Sequence, residues 1–90
     1  MQAKRYLISG RVQAVAFRYY TERAARELGV KGFVRNLPDG RVEALAQGDA
    51  VQLLAFYEAI LEGPPSARVD SVEVRDEQTD PKWTDFRITF

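Results

Sequence analysis

The sequence predicts an α+β fold, a two-layer sandwich in which two helices cover one face of an antiparallel sheet. Two segments carry apolar residues at helical spacing, and five shorter segments show the period-two alternation of strands. Their order is β-α-β-β-α-β followed by a short extra strand. This split β-α-β order predicts the arrangement 4-1-3-2 for the first four strands, with the last strand at an edge. Residues 1–90 are therefore expected to form one domain.

The first half of the chain is predicted to contain three strands and one helix. Residues 4–12 alternate as a strand, and residues 17–28 carry apolar side chains three and four positions apart, as in an amphipathic helix. Residues 31–37 and 41–47 are predicted as strands joined by a Pro-Asp-Gly turn, so they should form a β-hairpin.

The second half is predicted to contain one helix and two strands. Asp49 is expected to cap the start of the second helix, and Gly63-Pro64-Pro65 to end it. The side chains predicted to face the core from this helix are Val51, Leu54, Tyr57, Ile60 and Leu61. Residues 68–76 form the predicted fourth strand, residues 77–82 a polar loop, and residues 86–90 the last strand.

Composition narrows the chemistry that the chain can support. Thirteen Lys and Arg residues balance thirteen Asp and Glu residues, and this net charge of zero argues against bulk binding of nucleic acid. The chain has no histidine and no cysteine, which excludes Ser-His-Asp triads, thiol nucleophiles and His- or Cys-ligated zinc. Phosphoryl transfer suits the remaining side chains, because it needs mainly positioning and charge stabilisation.

The sequence offers no membrane segment, and its charge is unevenly spread. No apolar run approaches the ~20 residues of a membrane span, and the first residues lead into a strand pattern, so the expected location is the cytoplasm. Residues 1–41 hold nine basic and three acidic side chains, and residues 42–90 hold four basic and ten acidic ones. The asymmetry fits either steering of an anion or charges that mix on the folded surface.

The junction between the first strand and the first helix is the strongest candidate for a functional site. It comprises Gly10, Arg11, Val12, Gln13, Ala14, Val15 and Ala16. A strand that turns directly into a helix leaves backbone N–H groups pointing outward at the positive end of the helix dipole, which suits a phosphate. A glycine before a helix is weak evidence by itself, because many such turns bind nothing.

Arg18 and Asn36 are the side chains expected to act with this loop. Arg18 lies in the first turn of the helix, where a cation opposes the dipole by roughly 0.3–1 kcal/mol, a conflict that a bound anion would remove. The alternative is an ordinary ion pair with Glu22 one helical turn on. Asn36, near the end of the second strand, can orient a water with its carboxamide. The alternative interpretation is that Asn36 has no functional role, because asparagine is common near turns.

Two blocks of the sequence resemble the acylphosphatase family. The run from Gly10 to Arg18 (GRVQAVAFR) is similar to the family signature, and residues 32–36 (GFVRN) and 39–43 (DGRVE) are similar to its second block. The resemblance implies a small acyl-phosphate hydrolase with a ferredoxin-like sandwich fold. It implies that Arg18 and the amides of the junction hold the phosphate and that Asn36 orients the attacking water.

The same resemblance implies the partners of the protein. These are a small acyl phosphate as substrate and inorganic phosphate as product, with no metal or cofactor. The net charge and the lack of a long apolar run predict no nucleic-acid or membrane partner. A monomer is expected.

Ala14 departs from the family pattern, which places glycine there. If the loop needs a positive φ at this position, alanine costs on the order of 1 kcal/mol or forces the backbone onto another path. A second hypothesis is therefore a phosphate- or acyl-phosphate-binding module with weak or no catalysis. A third, an RNA-binding sandwich of the same topology, is disfavoured by the zero net charge and by the lack of paired aromatic residues on the strands.

Overall fold

A computed structural model describes all residues from Met1 to Phe90. It contains five strands and two helices. The elements are β1 (Gln2–Arg11), α1 (Phe17–Leu28), β2 (Lys31–Asn36), β3 (Val42–Gly48), α2 (Ala50–Glu62), β4 (Arg68–Glu77) and β5 (Phe86–Ile88). This is the predicted order, and α1 has the predicted bounds. The strand limits differ from the predicted ones by one or two residues at an end; β1 begins two residues earlier, and β5 stops two residues before Phe90. Neither helix is long and apolar enough to cross a bilayer.

The sheet has the order β4-β1-β3-β2-β5, which confirms the predicted arrangement of the first four strands and the edge position of the last. Those four strands pair antiparallel. β5 pairs parallel to β2, so the sheet is mixed and not wholly antiparallel as predicted. The reason is the connection after β4, which returns across the sheet to the opposite edge and leaves β5 running in the direction of β2.

The connection from β4 to β5 is held against the sheet face that the helices do not cover. The Gln47 carboxamide on β3 donates to Asp80 O at 3.1 Å and accepts from Asp80 N at 2.5 Å. The Trp83 ring packs against Phe33 on β2, with ring centroids 5.2 Å apart. These contacts carry the chain over two neighbouring strands before it enters β5.

Both helices pack on one face of the sheet and enclose a single core. Aromatic rings from three elements meet there, with Tyr6 and Phe56 centroids 5.3 Å apart and Phe56 and Phe86 centroids 5.8 Å apart. Val34 and Ile60 are fully buried beside them. Because the core takes residues from both ends of the sequence, the chain closes into one sandwich.

The buried face of α2 differs from the predicted one. Leu53, Phe56 and Ile60 are buried, whereas Val51 is 78% exposed and Leu54 is 60% exposed. Leu61 is also exposed, Tyr57 is half-buried, and of the predicted set only Ile60 is fully buried. The helix is apolar around most of its circumference, so spacing alone offers two overlapping faces, and packing against the sheet selects between them.

A buried carboxylate links three strands on the sheet face that the helices do not cover. Glu43 on β3 accepts from Arg5 on β1 at 2.5 Å and from Arg35 on β2 at 2.6 Å, and its side chain is 8% exposed. Burial opposes ionisation of Glu43, but the hydrogen bonds from the two guanidinium groups outweigh it, so the pKa of Glu43 lies below its ordinary value. This network fixes the strand order next to the end of β2, where Asn36 lies.

Candidate active site

The strand directions bring the two predicted catalytic side chains to one end of the sheet. β1 and β2 are both antiparallel to β3, so they run in the same direction and end on the same side. The loop from residue 12 to residue 16 leaves the end of β1, and Asn36 is the last residue of β2. The site is therefore assembled from two strand ends separated by one strand.

Gly10 and Arg11 belong to β1 and do not line the cavity at the site. They pair with Val69 and Arg68 of β4, immediately after a shift in the register. Gly10 has φ 129°, and a Cβ atom there would lie 2.1 Å from Arg68 O. This glycine is required by the close approach of the two strands, a different reason from the anion binding that the sequence suggested.

The loop backbone takes two left-handed turns at alanine. Ala14 has φ 58° and Ala16 has φ 59°, a region that costs non-glycine residues roughly 1–2 kcal/mol each. The backbone N–H groups of residues 12–19 donate to no backbone carbonyl, and the first such bond of the helix start is Tyr20 N to Ala16 O at 3.0 Å. A run of free amides at a helix start is the geometry that binds an oxyanion.

The start of α1 lacks the usual stabilising groups. Ala16 occupies the N-cap position and offers no side-chain hydrogen bond, and the first turn contains no acidic residue. Arg18 lies in this turn without an ion pair, because Glu22, its candidate partner, instead accepts from Arg26 at 3.5 Å. The Arg18 guanidinium is thus an uncompensated cation at the positive end of a helix.

Arg18 and Asn36 line the same small cavity, of about 130 Å³. Its lining consists of Val12, Ala14, Ala16, Phe17, Arg18, Tyr19 and Asn36. The Asn36 Oδ1 atom is buried and accepts no hydrogen bond. Buried acceptors without a partner are uncommon, and this one belongs to a residue that lines the cavity.

Hydrogen bonds from side chains tie the loop to the neighbouring turns. Gln13 Nε2 donates to Leu37 O at 2.8 Å and to Arg41 O at 2.9 Å, the two carbonyl groups that flank the β2–β3 turn. Ser66 Oγ donates to Val15 O at 3.0 Å. The Gln13 side chain and the Val15 carbonyl group are thus occupied in holding the loop, and neither residue lines the cavity.

Asp39 stabilises the turn that Gln13 contacts. It accepts from Arg41 N at 3.0 Å and from Arg41 Nε at 2.8 Å. The hydrogen bond from the Arg41 backbone is the largest cause that lowers the pKa of Asp39 below its ordinary value. The turn therefore presents its carbonyl groups to Gln13 in a fixed geometry.

Three side chains around the cavity escaped the sequence prediction. Tyr19 lines it, and the Phe90 ring centroid lies 5.1 Å from Arg18 Cζ. The Gln13 carboxamide was counted in the junction for its backbone, whereas its side chain makes the decisive contacts. The sequence offered one signal for Tyr19. It follows Arg18 directly and lies outside the apolar spacing of α1, and this helix turns only one face to the core.

Together, the sandwich and the amide-lined cavity beside Arg18 define a small anion-binding domain of the phosphate-handling type. The family model for acylphosphatase matches residues 4–88. A solved acylphosphatase structure from Bacillus subtilis superposes with a TM-score of 0.95 at 36% identity and covers 100% of both chains. The chain belongs to the acylphosphatase family.

Curated relatives from distant organisms support the same assignment. An acylphosphatase of Marinobacter nauticus is 52% identical over 83 residues, which are 92% of this chain and 90% of the relative. An acylphosphatase of Archaeoglobus fulgidus is 46% identical over 90 residues and is matched along its entire length. The likeness therefore extends over the sandwich as a whole.

Replacing Gln13 by glutamate tests the attachment of the loop to the turn. A carboxylate cannot donate to the carbonyl groups of Leu37 and Arg41, so Gln13→Glu should lower the free energy of unfolding by about 1–3 kcal/mol. It should also weaken the binding of inorganic phosphate. Urea denaturation and a phosphate titration measure the two effects. Gln2→Glu makes the same charge change at an exposed position, and equal behaviour of the two variants would contradict the role of Gln13.

Proposed function

We propose that this chain hydrolyses acyl phosphates to a carboxylate and inorganic phosphate. The observation that carries the proposal is the convergence of three unsatisfied groups on one cavity. They belong to residues that line it: free backbone amides of the loop and the helix start, the Arg18 guanidinium without a carboxylate partner, and Asn36, whose Oδ1 atom is buried without a partner. Each is costly in a structural role and useful in the binding of an anion and a water.

The phosphoryl group occupies the cavity in this proposal. Amides of the loop donate to its oxygens, and Arg18 neutralises its charge with a guanidinium that can contact two oxygens at once. The left-handed conformation of Ala14 and Ala16 fixes the amides before the substrate arrives. Such preorganised donors stabilise a transition state without further reorganisation.

Asn36 orients the water in the chemical step. Its Oδ1 accepts a hydrogen from the water, which directs the water oxygen toward phosphorus in line with the acyl oxygen. The new P–O bond forms as the bond to the acyl oxygen breaks, the electron pair leaves with the carboxylate, and the water proton passes to the phosphate product. A carboxylate departs without protonation, so a chain without histidine needs no general acid.

The setting of the reaction is part of the proposal. We infer that residues 1–90 act as one acylphosphatase-like domain, as a monomer in the cytoplasm, without a metal ion, a nucleic acid or a membrane partner. Arg18 and the loop amides supply the positive potential that a divalent cation provides in other phosphoryl transfers. Unchanged turnover after exhaustive treatment with EDTA would support the metal-independent part.

The alternative function, a binding module with weak or no catalysis, depends on Ala14. Ala14 keeps a positive φ, so its amide lies where a glycine would place it, and the cost appears as strain and not as a displaced donor. This geometry favours the hydrolase over the binding module.

Replacing Ala14 by glycine separates the two functions. The strain of alanine and the added freedom of glycine in the unfolded chain both act on the free energy of unfolding, and neither changes the position of the amides in the folded loop. We therefore expect Ala14→Gly to change kcat by less than about threefold. Ala14→Pro, which imposes a φ near −65°, should abolish turnover. A rise of kcat by two orders of magnitude in Ala14→Gly would instead show that alanine impairs the amides.

Loss of the Arg18 charge should remove both binding and turnover. Arg18→Ala should lower kcat/KM for benzoyl phosphate by about 10²–10³-fold or more, because a principal donor to the phosphoryl oxygens is gone. Arg23→Ala is the matched control, since Arg23 lies on the same helix and forms an exposed ion pair with Glu27. Ultraviolet absorbance follows the reaction, and equal rates in the two variants would exclude Arg18 from the site.

Loss of the Asn36 side chain should lower the rate of hydrolysis without destabilising the fold. Asn36→Ala should reduce kcat by about 10²–10³-fold and change the phosphate dissociation constant by no more than about threefold. Because the substitution removes a buried acceptor without a partner, the free energy of unfolding should stay equal or rise. A loss of stability together with an equal loss of phosphate binding would assign Asn36 a structural role.

A further inference from the structure

Two aromatic side chains beside Arg18 are exposed to solvent. Tyr19 lines the cavity and is 68% exposed, and Phe90 is 97% exposed. Most other aromatic rings of the chain are buried or half-buried, as in a normal core. Exposed apolar side chains gathered at a polar site indicate contact with a ligand or partner.

Phe90 is held near the cavity by the backbone before it. Thr89 N donates to Val34 O at 2.9 Å, which extends the pairing with β2 past the end of β5 and toward Asn36. The ring then lies against the Arg18 guanidinium, with 5.1 Å between Cζ and the ring centroid. Since almost the whole side chain is still exposed, the guanidinium leaves most of the ring surface free.

The cavity is too small to enclose an acyl phosphate with a large acyl group. Its volume of about 130 Å³ is well below the ~300–1,000 Å³ of pockets that enclose drug-sized molecules. A phosphoryl group that fills it leaves the acyl group outside, one bridging oxygen away from phosphorus. The acyl group then emerges beside Arg18, where Tyr19 and Phe90 provide the apolar surface.

We propose that Tyr19 and Phe90 form an acyl platform that contacts the leaving group and favours acyl phosphates with aromatic or extended apolar acyl groups over acetyl phosphate. The inference rests on the proposed hydrolysis and deepens it by naming the substrate class. Offset or edge contacts with an aromatic ring add favourable energy beyond the area that they bury. A methyl group is too small to gain much from either ring.

The test compares two substrates in a small set of variants. Benzoyl phosphate carries an aromatic acyl group and acetyl phosphate a methyl group, and each variant is compared with the unchanged chain on the same substrate. Phe90→Ala and Tyr19→Ala should each raise KM for benzoyl phosphate by about 3- to 10-fold, with little effect on kcat, because the contact is equal in ground and transition states. KM for acetyl phosphate should change by less than about twofold.

Further variants isolate the apolar contact. Phe90→Leu should retain part of the affinity for benzoyl phosphate, and Tyr19→Phe should retain all of it. Val51→Ala, which removes an exposed apolar side chain from the distant start of α2, should leave both substrates unaffected. The melting temperature should not move in any of these variants, because the altered side chains are exposed.

The outcomes separate the platform from other roles of Phe90. Equal losses on both substrates, with a weaker inhibition constant for inorganic phosphate, would show that Phe90 only positions Arg18 and would overturn the proposal. Unchanged kinetics on both substrates would overturn it as well. Failure of the unchanged chain to hydrolyse either substrate would instead refute the proposed function, so the two failures are distinguishable.

Discussion

The left-handed backbone at Ala14 and Ala16 is the constraint on which the site depends. Successive amides of this loop donate to no backbone carbonyl, and the start of α1 lacks its usual cap. Each of these features costs free energy in the empty protein, about 1 kcal/mol for a missing cap alone. Arg18 adds a charge of the unfavourable sign. In the proposed mechanism a phosphoryl group would remove these penalties together, because it would accept from the amides, oppose the charge and complement the dipole.

The rest of the fold holds this strained loop in place. Val12 and Phe17, at the two ends of the loop, are both buried in the core, so neither end can relax independently. Gln13 connects the loop to the β2–β3 turn, and Asn36 immediately precedes that turn. A displacement of the turn would therefore move Asn36 and the amides of the loop together. The catalytic geometry depends on this coupling as much as on the catalytic groups.

Features that depend on local sequence could be predicted, whereas features that depend on packing between distant residues could not. The elements, their order and the location of the site follow from helical spacing, turn residues and the placement of Arg18 at a helix start. The buried face of α2 could not be deduced because Leu53 and Leu54 are equally apolar, and only contact with the sheet distinguishes them. The direction of β5 depends on how Gln47 holds the preceding connection, a contact between residues far apart in sequence.

Alanine at position 14 combines small size with restricted freedom. Ala14 lines the cavity of about 130 Å³ that receives the phosphoryl group in the proposed mechanism. Glycine would fit equally well but would leave the loop freer in the unfolded chain and in the empty site. Once the core and Gln13 impose a positive φ, alanine keeps the amides aligned before binding, and less ordering remains to be done when the anion enters. The departure from glycine is therefore compatible with a preorganised cradle, provided that the surrounding contacts sustain the strain.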